Sequence, residues 1–594
     1  MRNDTFNSAA STLVGWKRFI VGALCLRVAA GPRVAFQTAL LALEFQTAMM
    51  AQPALVADTV LINGKVVTVD RLFSIAEAIA IREGKFLAVG SNTPIEALTG
   101  PNTVRIDLSG RTVLPGLMDT HAHVAGAGIQ GVTVSLAKVT TVAEALEQIR
   151  AWAAKAKPGD WIIGGPWHPM SQLQERRYLT RREIDHVAPN NPVFLPTVGH
   201  FAMANSMALA LAGINKATAD PAGGIVEREG NGEPNGVLEE SAVDLLAAKI
   251  PAPTVAQLAD WLRTAMRVFN SHGITSVVDG FVGPNQFRAY QQLWTNHEIT
   301  LRTSIMYMPA GSGMIASVED WEKTFRTLGV SSGFGDEWLS FAAIGEIVSD
   351  GGMTLGTAFL RDAYSGQPNN RGFQPISGDK LNRLIAVCNR YGWRVGVHAV
   401  GDAAVDKVLD AYELANQQSP IVDKRFIIIH GSLIQADQLK RAAKLGVRVD
   451  MQNVFMWDKA ATVARFIGKD RADRAVPTRL MIDTLGIGNV GAGTDFAVNT
   501  LDPFVNCYIM ITRKAAEGTV YGKGQTISRQ EAVRLYTSSA ARFNFEETKK
   551  GSIEQGKLAD LVVLSDDLLT VPEEKIKDIK ALTTIVGGRV VYQR

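Results

Sequence analysis

The chain has 594 residues, 46% of them hydrophobic, and a formal net charge of +3. This length exceeds what one small core can organise, so we expect two or more structural units. Acidic and basic residues are interspersed without a basic stripe, which argues against nucleic acid as a partner. The three cysteines, Cys25, Cys388 and Cys507, lie far apart, so neither a disulfide framework nor a thiolate metal site is predicted.

Residues 1–55 differ from the rest of the chain in carrying an excess of basic side chains around two short apolar stretches, 19–26 and 38–43. This pattern is typical of a signal peptide, but Arg27 closes the first stretch early, so an N-terminal extension or a mis-assigned start is almost as good an interpretation. With a signal the protein would be periplasmic or secreted, and without one cytoplasmic. Neither stretch reaches the roughly 20 residues of a spanning helix, so no integral membrane span is predicted.

Strand patterns begin at about residue 56. An Asn63-Gly64 turn between apolar runs predicts one hairpin, and residues 78–90 predict another. The C-terminus repeats such patterns at 559–564 and 584–592. Both ends therefore look like parts of one small β-structure, with boundaries at 56–111 and 545–594.

Between these ends, residues 112–544 carry eight apolar runs, several of them separated by helical patterns. Alternating strands and helices predict an α/β fold, a (β/α)₈ TIM-like barrel. Eight barrel strands are obtained only if residues from about 140 to 265 are largely an insertion after the first strand. The predicted barrel strands are 112–118, 274–279, 301–307, 341–347, 393–397, 426–429, 447–451 and 490–494.

Potential metal ligands directly follow four of these runs. They are His121 and His123 after the first run, His398, His430 and Asp495. Parallel-barrel enzymes collect their chemistry at the C-terminal ends of the strands. The pattern therefore predicts a metal site at that rim, built from nitrogen and oxygen ligands.

These motifs resemble the amidohydrolase superfamily of metal-dependent hydrolases, and most of all the branch that contains the N-substituted formamide deformylases. The resemblance covers nearly the whole chain after about residue 55. It rests on four segments, which are Pro115 to His123, His398 to Asp406, Gly491 to Asp495 with Asp502-Pro503, and Gly551 to Leu564. It implies that the two chain ends form one small β-sandwich beside the barrel.

The resemblance also implies a divalent metal centre, with two zinc ions per chain as the expectation. His121, His123 and Asp495 would bind the more buried ion, and His398 and His430 the other. A metal ion lowers the pKa of bound water to about 7 and polarises a carbonyl. Asp495 is the expected proton shuttle, so it and the ligand His430 are the predicted catalytic residues.

The ligand that bridges the two ions departs from a common family pattern. The family often has a carboxylated lysine four residues before an Asp-Gly pair, and here Glu346 stands at that place before Asp350-Gly351. No lysine occurs between Lys323 and Lys380. Glu346 is therefore the predicted bridge, although an ordinary carboxylate outside a single-metal site is the alternative.

Five further residues are predicted to bind substrate. His200 matches a Gly-His motif of the resembled branch and would orient a substrate carbonyl. Trp167 and His168 would line the pocket from the insertion, and Phe455 and Trp457 would form an apolar wall after strand seven. For the aromatic residues, core packing is the better of the two interpretations.

Together these features predict hydrolysis of a C–N bond in a small molecule, an amide, N-substituted formamide or carbamate with a substantial apolar substituent. An esterase or lactonase with the same metals is an alternative, and a non-catalytic scaffold is another. The scaffold would show a lost ligand, whereas the five ligand positions other than the bridge carry the usual residue types. A homo-oligomer is compatible with the sequence.

Overall fold

A computed structural model describes residues 56–129, 133–165, 167–197, 200–309 and 317–594, so the predicted signal peptide lies outside the described residues. Their strands are β1 (Thr59–Ile62), β2 (Lys65–Val67), β3 (Ile75–Ala76), β4 (Ala78–Arg82), β5 (Lys85–Gly90), β6 (Val104–Asp107), β7 (Thr112–Pro115), β8 (Leu117–Ala122), β9 (Ile162–Ile163), β10 (Val193–Thr197), β11 (Phe201–Ala204), β12 (Gly224–Arg228), β13 (Pro234–Glu240), β14 (Ile274–Val282), β15 (Arg302–Tyr307), β16 (Leu339–Val348), β17 (Val395–Ala399), β18 (Ile427–His430), β19 (Arg448–Met451), β20 (Val490–Ala492), β21 (Leu561–Leu564), β22 (Ala581–Val586) and β23 (Arg589–Gln593).

The α-helices are Asn92–Glu96, Ala125–Ile129, Val142–Ala153, Pro169–Gln172, Arg181–Val187, Ser206–Ala212, Ser241–Ala247, Val255–Ser271, Pro284–Thr295, Val318–Leu328, Gly378–Arg390, Asp402–Gln418, Ala436–Lys444, Phe455–Asp458, Ala460–Ile467, Lys469–Ala472, Thr478–Leu485, Pro503–Thr512, Arg529–Leu535 and Ser538–Phe543. In the described part of the chain, no helix combines the length and apolar character needed to cross a bilayer.

The central sheet is a nearly closed barrel of eight parallel strands in the order β8-β14-β15-β16-β17-β18-β19-β20. Runs such as Phe426 to Ile429 are buried on both faces, which is why they read as continuously apolar. Two backbone hydrogen bonds join the two end strands at the rim, from Asp495 N to His121 O and from His123 N to Phe496 O. The predicted TIM-like barrel is confirmed.

The start of the barrel was predicted wrongly at residue 112. Thr112–Pro115 is β7, which pairs with β2 and β21 outside the barrel, and the first barrel strand is Leu117–Ala122. Gly116 lies between them where the chain passes from one sheet to the other. A Cβ atom at Gly116 would lie 2.2 Å from Thr275 Oγ1, so a side chain has no room there.

Both chain ends build the small β-sandwich. Its four-stranded sheet has the order β5-β4-β1-β6 and its six-stranded sheet β23-β22-β21-β7-β2-β3. Buried residues of both sheets, among them Leu61, Phe86 and Leu561, share one core. The hairpin of β4 and β5 is confirmed, but the one predicted at Asn63-Gly64 is wrong, because β1 and β2 belong to different sheets.

The insertion after the first barrel strand contains a sheet of its own, with five strands in the order β12-β13-β11-β10-β9. The insertion ends before residue 265, where its end was predicted. The helix Val255–Ser271 packs its buried face, including Leu262 and Phe269, into the same core as the barrel strands. This helix therefore belongs to the barrel.

A buried ion pair ties the barrel to the C-terminal strands, and it permits a stability prediction. Arg302 on β15 binds Asp560 through two hydrogen bonds of 2.7 and 3.0 Å, and both side chains are at most 4% exposed. Asp560→Asn leaves the guanidinium buried without a countercharge, so the free energy of unfolding should fall by about 3–5 kcal/mol, measured by urea titration. Glu319→Gln, which breaks an exposed pair with Arg383, is the control and should unfold like the wild type. Equal unfolding midpoints for the two variants would contradict the prediction.

Candidate metal centre

The six predicted ligands meet at the C-terminal rim of the barrel. Glu346 Oε1 lies 2.9 Å from His398 Nδ1 and 3.0 Å from His430 Nε2. The other oxygen, Oε2, lies 3.3 Å from His121 Nε2 and 3.9 Å from His123 Nε2. The two oxygens of one carboxylate thus face two different pairs of histidines.

Asp495 completes the group on the side of His121 and His123. Its Oδ1 lies 3.5 Å from His121 Nε2 and 3.2 Å from His123 Nε2. The closing hydrogen bonds between the end strands bring these residues together, because Asp495 itself donates its N–H to the His121 carbonyl. His430 and Asp495 have positive φ angles of 71° and 54°, a conformation that is uncommon outside glycine and is concentrated at functional sites.

The residues present fit one or two divalent cations. Potential ligand atoms of His121, His123 and Glu346 form one group within 4.8 Å of one another, and those of Glu346, His398 and His430 form a second. His121 is fully buried, yet neither of its ring nitrogens has a hydrogen-bond partner among the described residues. Buried polar atoms normally have partners, so an imidazole placed in this way suits a metal ligand.

The electrostatics of the group agree with that fit. Burial by itself lowers the pKa of His121, but the carboxylates of Glu346 and Asp495 outweigh it and hold that pKa well above its ordinary value. Conversely, burial raises the pKa of Glu346, but His121, His398 and His430 outweigh it and hold it well below. Positive charge is therefore favoured at this place, whether protons or a cation supply it.

Neighbouring groups orient the histidines. His430 Nδ1 contacts Gln452 Oε1 at 2.6 Å, and His123 Nδ1 contacts the Gly280 carbonyl at 3.2 Å. Asp119 accepts hydrogen bonds from the backbone N–H groups of His121 and Thr494, so it holds the two end strands together beside the ligands. Partners of this kind fix the ring orientation of metal-binding histidines.

A narrow cleft leads to the ligands. About 440 Å³ of space lies within the cleft and its opening to solvent together. His398, His430 and Asp495 lie at its wall, and of the predicted substrate residues His168, His200 and Phe455 also line it. Its remaining wall is largely apolar, for example at Met353, Leu355, Val400 and Val498.

The two predicted tryptophans are not part of this cleft. Trp167 is buried in the core of the insertion, among residues such as Leu195 and Met203. Trp457 packs with its ring edge-to-face against Tyr508, 5.7 Å between centroids. For both, the interpretation as packing residues agrees with the structure and the placement in the pocket does not.

His200 reaches the cleft from the insertion sheet and is held by a buried carboxylate. Its Nδ1 lies 2.8 Å from Glu240 Oε2, and its ring centroid lies 5.6 Å from that of His398. Burial lowers the pKa of His200, but Glu240 raises it above the ordinary value overall. His168 is neutral by contrast, because burial and the nearby Lys459 lower its pKa to about 3.

Four residues around the site escaped the sequence reasoning: Asp119, Glu240, Gln452 and Lys459. Asp119 and Gln452 had a usable signal, since each lies beside a predicted strand end. Glu240 and Lys459 had none, because only tertiary contacts bring them to the cleft.

The sequence matches a family of known proteins. The Amidohydro_3 model, described as an amidohydrolase family, matches residues 105–592. The chain belongs to this amidohydrolase family. Among relatives, the N-substituted formamide deformylase of Arthrobacter pascens is 28% identical over 90% of this chain and 98% of its own length. Protein LONG AFTER FAR-RED 3 of Arabidopsis thaliana is 29% identical over 98% of this chain and 100% of its own.

Structural comparison agrees with this family. An uncharacterized metal-dependent hydrolase from Pyrococcus horikoshii OT3 superposes with a TM-score of 0.69 at 23% identity, covering 87% of this chain and 99% of that one. At this identity the likeness shows the fold. Together with the two ligand groups, the family makes this chain a hydrolase with a site suited to a divalent metal.

Proposed function

We propose that this amidohydrolase binds two zinc ions and hydrolyses the C–N bond of an amide, N-substituted formamide or carbamate. One observation carries the two-metal proposal. Glu346 Oε1 faces His398 and His430, while Oε2 faces His121 and His123. A carboxylate that presents its two oxygens to two separate ligand pairs has the arrangement of a bridge.

In the proposed site His121, His123 and Asp495 hold one ion, and His398 and His430 hold the other. A bound divalent ion would supply an acidified water and polarise the substrate carbonyl. Glu346 already bears a carboxylate, so the chain needs no modified lysine to join the two positions.

The proposed proton shuttle is Asp495. It lies at the cleft wall and is 4% exposed, so a substrate in the cleft would contact it while little bulk water does. Its carboxylate would take the proton released when water attacks the carbonyl carbon and return it to the leaving nitrogen. An amide nitrogen leaves poorly until it is protonated, so a positioned acid matters more for a C–N bond than for an ester.

His200 is proposed to hold the substrate carbonyl. Glu240 occupies its Nδ1, which leaves the other ring nitrogen for a ligand in the cleft. The choice of a C–N bond is supported by the relative that is named as an N-substituted formamide deformylase.

The function is tested by assaying purified protein with matched formamides, acetamides, carbamates and alkyl esters, while measuring bound metal by elemental analysis. We expect turnover of a C–N substrate that chelation abolishes and zinc restores. Turnover of the esters alone would overturn the proposed bond, and full activity without stoichiometric metal would overturn the metal centre.

A separate proposal concerns residues 1–55, which we propose are a signal for export. The mature protein from its native host should then begin after a small residue between Ala30 and Ala57. N-terminal sequencing tests this directly. Active cytosolic enzyme that begins at Met1 would contradict it.

A further inference from the structure

A buried lysine lines the cleft that leads to the metal centre. The Lys459 side chain is 3% exposed and lies at the cleft wall with His398, His430 and Asp495. Lysine is seldom fully buried unless it is paired, because removing an ammonium from water is costly. The charge and the hydrogen-bond partners around this ammonium therefore help to decide which molecules can bind in the cleft.

The ammonium is anchored but only weakly neutralised. It donates to the neutral Asn499 Oδ1 at 2.8 Å and to Asp458 Oδ1 at 2.9 Å. Asp458 is 54% exposed, so water screens its charge much more than it screens the buried ammonium. An ammonium has three N–H donors, and these two contacts are its hydrogen bonds among the described residues.

The ammonium and the ligand group lie on the same stretch of the cleft, beside Phe455. Lys459 Nζ lies 5.6 Å from the centroid of the Phe455 ring, and the His430 ring lies 6.1 Å from the same centroid. The ammonium and the His430 ring are therefore no more than about 12 Å apart, a distance that a single slender molecule can span. The wall of the cleft is partly apolar, with Phe455 and Val498.

Resting on the proposed function, we infer that the substrate carries a carboxylate, separated from its scissile amide by a short apolar chain, which Lys459 binds. The neutral Asn499 holds the ammonium in place without cancelling its charge, and Asn499 is itself anchored to the Thr494 carbonyl beside Asp495. The substrate class is then the N-acyl or N-formyl derivatives of ω-amino acids rather than of plain alkylamines.

Calorimetry with the zinc-loaded enzyme tests the inference, using hexanoate and the uncharged hexanol as probes. The wild type should bind hexanoate at least about tenfold more tightly, as expected for a hydrogen bond between charged groups. K459M should lose this difference and K459R should keep it. Lys469→Met, at a 61% exposed lysine, is the matched control and should behave as the wild type.

Two outcomes would overturn the inference. Equal binding of the two probes by the wild type is one. The other is tight hexanoate binding that persists in K459M, which would place the anion on the metal instead. If K459M fails to fold, as judged by circular dichroism, K459Q takes its place, and a hexanoate preference that persists in K459Q overturns the inference in the same way.

A kinetic arm separates this inference from the proposed function. The N-formyl derivatives of an ω-amino acid and of the n-alkylamine of equal length are compared by kcat/KM. Cleavage of both without preference for the acid would leave the function standing and overturn the carboxylate site. A hexanoate preference that depends on Lys459, without cleavage of any amide, would support the site and overturn the function.

Discussion

Replacing Asp495 with asparagine should lower kcat for an alkyl amide by at least about 10³-fold, within the range that positioned acid–base groups contribute. The variant keeps the side-chain size but removes the group proposed to carry the proton to the leaving nitrogen. It also removes a charge 3.2 Å from His123 Nε2, so metal content must be measured alongside the rate.

Comparing substrates with different leaving groups separates a loss of proton transfer from a loss of metal. A nitrophenolate leaves an ester without being protonated. Asp495→Asn should therefore lose much less activity on a nitrophenyl ester than on the alkyl amide. Asp502→Asn is the matched control, because Asp502 caps the helix Pro503–Thr512 and should affect stability slightly and kcat little. Equal losses on both substrates at full metal content would exclude the delivery of a proton from Asp495 to the leaving nitrogen.

The meeting of the predicted ligands at one rim could be predicted from the sequence, because each of them lies at or near the end of a barrel strand and the ends of the strands are visible in the sequence. His398 follows an apolar run, and neighbouring parallel strands end at the same rim, as the pairing of Ala399 with His430 shows. The same reasoning failed at residue 112, because β7 and β8 are one apolar run divided by Gly116. A continuous run carries no mark of the point at which it changes sheets.

Residues outside the strand ends were harder to predict. An aromatic ring has the same sequence signal in a core as in a pocket, so Trp167 and Phe455 were indistinguishable although only Phe455 lines the cleft. Lys459 looks like an ordinary helix-flanking lysine, and its burial is a consequence of contacts with Asn499, 40 positions along the chain. The hairpin predicted at Asn63-Gly64 was wrong for a related reason. A sandwich has two sheets, and the local turn sequence does not determine whether the next strand joins the same sheet or the other one.

The second large effect is expected for Glu346→Gln. The amide keeps the size of the side chain but loses the charge that faces His121 on one oxygen and His398 and His430 on the other. Metal affinity should fall by at least about 100-fold, since even residues that merely orient ligands contribute 10–100-fold. Turnover should fall with it. Glu337→Gln, at an exposed position just before β16, is the control and should leave metal content and kcat unchanged.

With Glu346 as the proposed bridge, we expect the enzyme to need no carbon dioxide, and the wild type can test this. A carboxylated lysine forms reversibly, so enzymes that depend on it can lose activity when bicarbonate is absent during metal loading. Glu346 is encoded in the chain and cannot be lost in this way. Metal-free protein should therefore regain full activity with zinc alone, and added bicarbonate should change the rate little. If Glu346→Gln keeps two metal ions per chain and a near-native rate, another group must join the two ligand sets and the proposed bridge is wrong.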